Sequence, residues 1–195
     1  MSIPRITLND GNQIPWLGFG TGTALYQKDA QAQVATALAC GVVHLDGAQI
    51  YGNEDSLGAA IAASGKPRAD LFVTTKLAKV PEGQTVRDTL VESLKKLQLD
   101  YVDLFLIHMP IHHTGRLPQV WKEIEALQKE GLTKSIGVSN FRVSDFEEIL
   151  PGATVIPAVN QVRTTVIYDG LSACVLKPKA RSSTTRTSMT GQSQL

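Results

Sequence analysis

The sequence predicts an α/β fold of the (β/α)8 TIM-barrel type, with an N-terminal hairpin and about six strands that leave the barrel incomplete. Alternating strand and helix patterns predict parallel βαβ units, but a doubly wound sheet has the same alternation. Two observations favour the barrel. No Gly-x-Gly-x-x-Gly follows the first strand, and no P-loop pattern occurs anywhere in the chain. Polar residues also stand at the C-terminal ends of successive predicted strands, as they do at a barrel mouth.

The individual elements follow from apolar patterning and from turn and cap signals. Apolar runs at 6–8 and 14–17 flank Asp10-Gly11, a pair that is typical of a hairpin turn. Thr85 with Asp88 three residues later indicates a capping box at a helix start. The predicted strands are 18–21, 42–46, 71–75, 102–107, 135–138 and 158–162, the predicted helices are 28–40, 54–64, 85–97, 117–129 and 143–150, and the C-terminal caps are Gly41, Gly65 and Gly131.

Composition and charge restrict the class of protein. With 43% hydrophobic and 19% charged residues among 195, the chain has the composition of a globular domain. A formal net charge of +1 gives no reason to expect nucleic acid or an acidic membrane as partner, so small molecules are the expected partners. The sequence has two cysteines, no N-terminal signal segment and no apolar run long enough to span a membrane. We expect a cytoplasmic protein with reduced thiols, and the sequence carries no signature of its oligomeric state.

The pattern of the chain changes at residue 162. Residues 1–162 carry the strand and helix alternation and are predicted to form a partial barrel domain. In residues 163–195 the alternation fails, and five basic residues stand against one acidic residue, Asp169, a net charge of +4. A polar end rich in serine and threonine follows without periodicity. We expect this second segment to be a disordered tail.

Four ionisable residues, called the tetrad below, are placed so that a barrel would bring them to one mouth: Asp46, Tyr51, Lys76 and His108. A tyrosine is a poor acid near neutral pH because its reference pKa is about 10, but a nearby ammonium group such as that of Lys76 stabilises the phenolate and lowers that pKa. Asp46 would pair with Lys76, and His108 would donate a hydrogen bond to a carbonyl oxygen. Such a site protonates an oxyanion as it forms.

Reduction of a carbonyl group also needs a hydride, which no side chain supplies, so a nicotinamide or a flavin must take part. The amides of Asn140 and Gln161, together with Ser139, suit the carboxamide of a nicotinamide ring. Taken singly, residues of these types are more often helix caps, solvated charges or packing residues. The sequence has no Cys/His/carboxylate spacing typical of a metal site, and two histidines are interpreted as surface residues, His112 and His113.

Six segments, in order and at similar spacing, resemble the signatures of the aldo-keto reductase family. The resemblance covers about the first 162 residues. It implies a (β/α)8 barrel, NADPH bound without a Rossmann motif, and reduction of an aldehyde or ketone to an alcohol. The segments are Gly18-Phe19-Gly20-Thr21, His44-Leu45-Asp46-Gly47-Ala48-Gln49-Ile50-Tyr51-Gly52-Asn53-Glu54, Thr75-Lys76, Asp103-Leu104-Phe105-Leu106-Ile107-His108, Gly137-Val138-Ser139-Asn140-Phe141 and Pro157-Ala158-Val159-Asn160-Gln161.

The resemblance also implies a role for each residue of the site. By position, Tyr51 matches the general acid, Lys76 and Asp46 match the pair that tunes it, and His108 matches the residue that orients the carbonyl group. Asp46 in the family also lies close to the ribose of the cofactor, and the loop at 22–26 is expected to line the substrate pocket. Contacts to NADPH or NADP+ are implied for Thr21, Asp46, Ser139, Asn140 and Gln161.

Beyond residue 162 the sequence departs from the family pattern. Family members continue with further strands, a basic loop for the adenosine 2′-phosphate and a C-terminal loop that selects substrates. We therefore expect a truncated or altered form of a longer reductase. Three hypotheses stay open: an active carbonyl reductase, a catalytically inactive barrel that senses nucleotides or binds a partner, and an unstable fragment, because unpaired strand edges invite aggregation.

Overall fold

The computed structural model describes residues 3–162 of the chain. Within that range a short hairpin precedes parallel strands that alternate with α-helices. The strands are β1 (Arg5–Thr7), β2 (Gln13–Pro15), β3 (Gly18–Gly20), β4 (His44–Asp46), β5 (Phe72–Leu77), β6 (Val102–Ile107), β7 (Thr133–Ser139) and β8 (Asn160–Gln161). The helices are α1 (Gln31–Ala39), α2 (Glu54–Ala63), α3 (Val86–Leu97), α4 (Leu117–Lys129) and α5 (Val143–Ile149).

The parallel strands form one curled sheet in the order β3-β4-β5-β6-β7-β8, while β1 and β2 pair antiparallel. Neighbours in the chain are neighbours in the sheet, as successive βαβ units produce. The curl brings distant strands together. Gln161 Nε2 in β8 donates a hydrogen bond to Asp46 Oδ2 in β4 at 3.2 Å. The described residues thus form six of the eight strands of a TIM barrel, which confirms the predicted fold class.

Most predicted elements agree with the observed ones to within three residues. β6 and α4 begin and end where the pattern predicts. β5 continues to Leu77, two residues beyond its predicted end, so Lys76 lies inside the strand and not after it. β8 is shorter than predicted, although backbone hydrogen bonds to β7 begin at Ala158. The predicted tail at 163–195 lies outside the described residues.

The capping signals of the sequence are confirmed. Thr85 Oγ1 accepts a hydrogen bond from the backbone nitrogen of Asp88 at 3.1 Å, and Asp88 Oδ2 accepts from the backbone nitrogen of Thr85 at 2.9 Å. This reciprocal pair satisfies two backbone donors at the start of α3. The three glycines expected at helix ends have φ angles in the left-handed region, at +87° for Gly41, +62° for Gly65 and +80° for Gly131.

Side-chain alternation along each strand divides residues between two environments. Val73 and Phe105 face outward and join the main core, where the helices cover the sheet. Lys76 has the same parity in β5 as Phe72, so it faces the inside of the curl. The apolar cluster on that inner side comprises Phe72, Leu104 and Leu106, with Ile14 of the hairpin and Val159 packed against it.

Close helix packing depends on one glycine. A Cβ atom at Gly58 in α2 would lie 2.5 Å from the carbonyl oxygen of Lys96 and 2.7 Å from the Cα atom of Leu97. Both atoms belong to the backbone of α3 and cannot move aside independently. The absence of a side chain at Gly58 therefore lets α2 approach α3 closely over the outer face of the sheet.

A buried carboxylate holds the N-terminal ends of the strands. Asp103 in β6 is 4% exposed and accepts a hydrogen bond from the backbone nitrogen of Val73 at 2.9 Å. It pairs with Arg68 at 2.7 Å and with Lys134 at 3.0 Å. Both cations also lie over the ring of Tyr101, at 4.1 Å and 4.5 Å from its centre. These residues are called the floor cluster below, because they lie opposite the end at which the strands finish.

Candidate active site

The tetrad lies at the carboxyl ends of the strands, where TIM-barrel enzymes place their active sites. Asp46 is the last residue of β4, and Lys76 faces inward near the end of β5. Tyr51 closes a 3-10 turn, Gln49–Tyr51, that follows β4. His108 directly follows β6. The structure therefore brings together four residues that are spread over 63 positions of the sequence.

Lys76 and Asp46 form a buried ion pair. Lys76 Nζ donates to Asp46 Oδ1 at 2.5 Å and to the carbonyl oxygen of Gly47 at 2.8 Å. The side chain of Lys76 is 1% exposed and that of Asp46 is 18% exposed. Burial lowers the pKa of Lys76, and the charge of Asp46 partly offsets this by favouring the ammonium form. Two acceptors thus compensate a cation that is almost completely removed from water.

Tyr51 lies at the centre of the tetrad. Lys76 Nζ stands 5.1 Å from the centre of its ring, close enough for a cation–π contact. The ring of His108 meets it edge-on, with centres 5.5 Å apart and planes at 85°. Tyr26 packs from another direction, with ring centres 6.3 Å apart. The backbone is also held, because the carbonyl oxygen of Tyr51 accepts a hydrogen bond from Gln27 at 2.8 Å.

His108 is neutral at physiological pH. Burial, together with the charge of Lys76, lowers the pKa of His108 to about 4. Its Nδ1 atom is buried and has no hydrogen-bond partner among residues 3–162, which leaves Nε2 as the nitrogen available to a bound molecule. The backbone carbonyl of His108 accepts a hydrogen bond from Asn140 Nδ2 at 3.0 Å. A neutral imidazole with its proton on Nε2 can donate a hydrogen bond without acting as a strong acid.

Ser139, Asn140 and Gln161 form a hydrogen-bonded group beside the tetrad. Ser139 Oγ donates to the carbonyl oxygen of Gln161 at 2.6 Å, and Asn140 Nδ2 donates to Ser139 Oγ at 2.9 Å. Because Gln161 Nε2 binds Asp46, both amide nitrogens are engaged within the protein. The amide oxygens of Asn140 and Gln161 accept no hydrogen bond from the described residues. They can accept from an NH2 group, so this group fits a carboxamide such as that of nicotinamide.

Thr21, another predicted cofactor contact, is bonded to the backbone of Asp46. It is completely buried, and its backbone nitrogen donates to the carbonyl oxygen of Asp46 at 2.9 Å. Its carbonyl oxygen accepts a hydrogen bond from Asn53 Nδ2, also at 2.9 Å. Thr21 is not among the residues that line the cavity at the tetrad. It supports Asp46 through its backbone, and its contact with a cofactor stays a prediction.

A cavity of about 650 Å³ opens at the tetrad. The prediction that the loop at 22–26 lines it agrees with the structure for Thr23 and Tyr26. Met109 and Val162 were not foreseen as lining residues, although each directly follows a predicted site residue. The side chains around the cavity are Thr23, Tyr26, Asp46, Tyr51, His108, Met109, Ser139, Asn140, Gln161 and Val162.

Two amide side chains that brace the site were missed by the sequence interpretation. Gln49 Oε1 accepts a hydrogen bond from the backbone nitrogen of Ala78 at 2.8 Å, while its Nε2 reaches α3. Asn53 Nδ2 donates to the carbonyl oxygens of Thr21 and Leu25, at 2.9 Å and 2.8 Å. Both stand two residues from Tyr51 in the segment 44–54 that resembles the family, but their hydrogen-bond partners lie on other elements.

The interpretation of His113 as a surface residue is wrong, since it is only 5% exposed. Its 3-10 turn, Pro110–His113, directs this ring inward while Ile111 is 71% exposed. Burial lowers the pKa of His113 to about 4. Within residues 3–162 no group of three or more His, Cys, Asp or Glu side chains is arranged to hold a metal ion. No helix in the same range is long and apolar enough to cross a membrane.

Comparison with known proteins gives one consistent family. The model of the aldo/keto reductase family matches residues 16–175. An aldo-keto reductase of Mycolicibacterium vanbaalenii is 46% identical over 162 residues, which cover 83% of this chain and 58% of that protein. The methylglyoxal reductase DkgA of Salmonella typhimurium is 42% identical over 157 residues, which cover 80% of this chain and 56% of that protein.

The same likeness extends to three-dimensional structure. The crystal structure of a Bombyx mori aldo-keto reductase in complex with NADP superposes with a TM-score of 0.76 at 35% identity, covering 84% of this chain and 59% of that one. The chain thus spans less than two thirds of the length of these relatives. The domain boundary at residue 162 stays a prediction. The family match, the curled sheet and the tetrad at its mouth agree: the chain belongs to the aldo/keto reductase family.

Proposed function

We propose that the site reduces aldehydes or ketones to alcohols, with NADPH as the hydride donor. The observation that carries the proposal is a cavity lined by a phenol and a neutral imidazole, with a buried ammonium group directly against the phenol. Two relatives support the chemistry: the Salmonella protein is named for methylglyoxal reduction, and the Bombyx mori enzyme was crystallised with NADP. Methylglyoxal is a small carbonyl compound, which is the substrate class proposed for this site.

In this proposal Tyr51 is the general acid. Its hydroxyl group gives a proton to the carbonyl oxygen of the substrate as negative charge develops there. The ammonium group of Lys76, 5.1 Å from the ring centre, stabilises the negative charge that the phenol then carries. Asp46 keeps that ammonium charged and fixed inside the curl of the sheet. The pair therefore acts on the substrate only through Tyr51.

His108 orients the carbonyl group. Since its pKa is lowered to about 4, the imidazole is neutral and donates a hydrogen bond without competing with Tyr51 as the acid. The rings of His108 and Tyr51 meet nearly at right angles, so two donors can approach one oxygen from different directions. This arrangement stabilises an oxyanion more than the carbonyl group from which it forms, which is the condition for catalysis.

The nicotinamide of NADPH, when bound, supplies the hydride that no side chain can provide. Asn140 and Gln161 would hold its carboxamide through amide oxygens that accept no hydrogen bond from residues 3–162, and Ser139 would fix both residues in place. Asp46 lies between this group and Lys76, bonded to both, and so connects the cofactor contacts with the acid. Thr21 would contribute by fixing the backbone of Asp46. A cytoplasmic location and the absence of nucleic-acid partners stay predictions.

The proposal is tested with Tyr51→Phe in the 195-residue chain. We expect NADPH oxidation with an aldehyde to fall by about 10³-fold, since general acid catalysis typically contributes 10²–10⁴-fold. The affinity for NADPH, followed by fluorescence, should stay close to that of the parent. Tyr101→Phe is the matched control, because Tyr101 lies in the floor cluster, and it should leave turnover unchanged. Parent-like turnover of Tyr51→Phe would contradict the assignment, and binding without turnover in the parent would favour a nucleotide-binding protein.

A further inference from the structure

Gly22 lies against the reactive end of Tyr51. A Cβ atom at this position would stand 2.9 Å from Tyr51 Cζ, 3.1 Å from Cε2 and 3.2 Å from the hydroxyl oxygen. Cβ atoms in proteins essentially never approach another heavy atom to less than 3.0 Å. The backbone of Gly22 is extended, with φ −78° and ψ −161°, so its conformation does not require glycine. It is the neighbouring phenol that excludes a side chain here.

The loop that carries Gly22 has little freedom to retreat. Thr21, just before it, is completely buried and hydrogen-bonded through its backbone nitrogen and oxygen. The carbonyl oxygen of Gly22 accepts a hydrogen bond from the backbone nitrogen of Leu25 at 3.1 Å. Thr23, just after it, has a φ of +51°, a left-handed conformation that β-branched residues rarely adopt. Constraints on both sides therefore fix the backbone that faces the phenol.

The ring of Tyr51 is bounded in other directions as well. Lys76 Nζ, the ring of His108 and the ring of Tyr26 all lie between 5.1 Å and 6.3 Å from its centre. Its turn is attached to the end of β5 through Gln49. A side chain at position 22 would therefore shift the phenol relative to the ammonium and imidazole groups, and would not find empty space.

We propose that Gly22 is a positioning residue of this site. Its missing side chain admits the hydroxyl end of Tyr51 against the loop backbone and thereby sets the distance of the hydroxyl group from Lys76 and His108. The inference rests on the proposed function for the task of that hydroxyl group. The packing relation between positions 22 and 51 can be measured without any turnover.

The first test is a double-mutant cycle on thermal stability, with Gly22→Ala made in the parent chain and in Tyr51→Ala. In the parent we expect the midpoint of unfolding to fall by about 5 °C, as overpacking at a constrained site does. In Tyr51→Ala the collision is gone, and the midpoint should stay within about 1 °C or rise, because alanine restricts the unfolded chain more than glycine. An equal fall in both backgrounds would show that the loop itself needs glycine and would overturn the inference.

A control variant and a test for variants that do not fold accompany this cycle. Gly152→Ala is the matched control, since a Cβ atom there would meet only Lys122 Cε, at 3.8 Å, and its midpoint should not change by more than about 1 °C. If Gly22→Ala alone does not fold, a folded double variant with Tyr51→Ala supports the inference in a stronger form. A double variant that also fails to fold, beside a folded Tyr51→Ala, overturns it.

The second test is turnover of an aldehyde with NADPH. We expect Gly22→Ala to lower kcat by about 10- to 100-fold with little change in KM, because a displacement of about 1 Å in a catalytic group has an effect of this size. Gly152→Ala should keep the parent kcat. An unchanged kcat in Gly22→Ala would overturn the positioning role. Absence of turnover in the parent chain would count against the proposed function alone, since the stability cycle would still decide the packing relation.

Discussion

Two buried ion pairs stand at opposite ends of the same sheet and are built in opposite ways. At the mouth the buried partner is the cation, with Lys76 1% exposed and Asp46 18% exposed. At the floor the buried partner is the carboxylate: the Asp103 side chain is 5% exposed, whereas the side chains of Arg68 and Lys134 are 21% and 46% exposed. The floor therefore leaves its flexible cations in contact with water. The mouth removes an ammonium group from water almost completely, which lowers the pKa of Lys76.

This difference separates a structural task from a chemical one. Asp103 receives a backbone hydrogen bond and two cations, so its removal would leave buried donors without an acceptor. Lys76 is compensated by two acceptors, but burial of a charge is expensive even when it is paired. A protein gains little stability from such a lysine. In the proposed function its placement 5.1 Å from the Tyr51 ring serves the reaction, as perturbed ionisable groups in a cleft often do.

The largest effect is expected from Lys76→Met. Turnover should fall by about 10³-fold, because the phenol loses the cation that stabilises its charged form. The free energy of unfolding should fall by only about 1 kcal/mol, because the costly burial of the ammonium group is removed and the Asp46 carboxylate keeps contact with water and its hydrogen bond from Gln161. Steady-state kinetics and urea denaturation measure the two quantities. Lys96→Met is the control, because Lys96 makes an exposed pair with Glu92. Strong destabilisation by Lys76→Met without loss of turnover would mean that Lys76, like Asp103, has a structural task, and would contradict its chemical role.

The next effect is expected from Asp103→Ala at the floor. The free energy of unfolding should fall by about 3 kcal/mol, because the backbone nitrogen of Val73 and two cations lose their acceptor. Turnover per folded molecule should not change. Lys134→Ala should cost only about 0.5 kcal/mol, because its side chain is 46% exposed and water replaces the lost contact. Urea denaturation distinguishes the two variants, and equal costs would contradict the proposed role of the buried carboxylate.

The smallest effect is expected from acidification. The pKa values of His108 and His113, both close to the mouth, are lowered from 6.5 to about 4. Between these values the unfolded chain binds protons that the folded chain excludes. The stability that the neutral histidines contribute is therefore fully present above pH 6.5 and is lost as the pH falls towards 4. We expect a loss of about 2 kcal/mol between pH 7 and pH 5, with solvent access to His108 taken into account. Burial of His44 lowers its pKa and acts in the same direction.

Urea denaturation at pH 7 and pH 5 measures this effect. His113→Gln should remove about half of the pH dependence, because it removes one of the two histidines with the lowest pKa. Stability that is constant or higher at pH 5 would show that these histidines are not buried as described.

Local patterns were sufficient to predict most of the elements. The continuous apolar run of β6 and the apolar periodicity of α4 predict their bounds correctly, because each pattern depends only on neighbouring residues. The end of β5 was missed, since Lys76 is a charged residue and a strand buried on both faces was expected to stop before it. His113 was missed for a similar reason, because only the tucked turn after β6 removes its ring from water.

The candidate site likewise has features that the sequence predicts and features that it does not. The positions of the tetrad and of the amide group at strand ends were predictable, since parallel strands bring their carboxyl ends to one edge. The support from Gln49 and Asn53 was not, because their hydrogen-bond partners lie on other elements. The burial of Thr21 behind Asp46 was equally inaccessible, as a threonine after a strand gives no sign of which way it faces.

The sequence by itself determined which residue types follow which strands, and with them the family to which the chain belongs. It determined the order of strands and helices too, because that order is encoded in apolar periods of local range. Only the tertiary structure decided how far the sheet curls, which brings Gln161 within 3.2 Å of Asp46 across 115 positions. Only it decided that Lys76 is buried and that a Cβ atom at Gly22 would collide with the Tyr51 ring. Such contacts depend on the summed twist and packing of the whole sheet, and no local pattern records that sum.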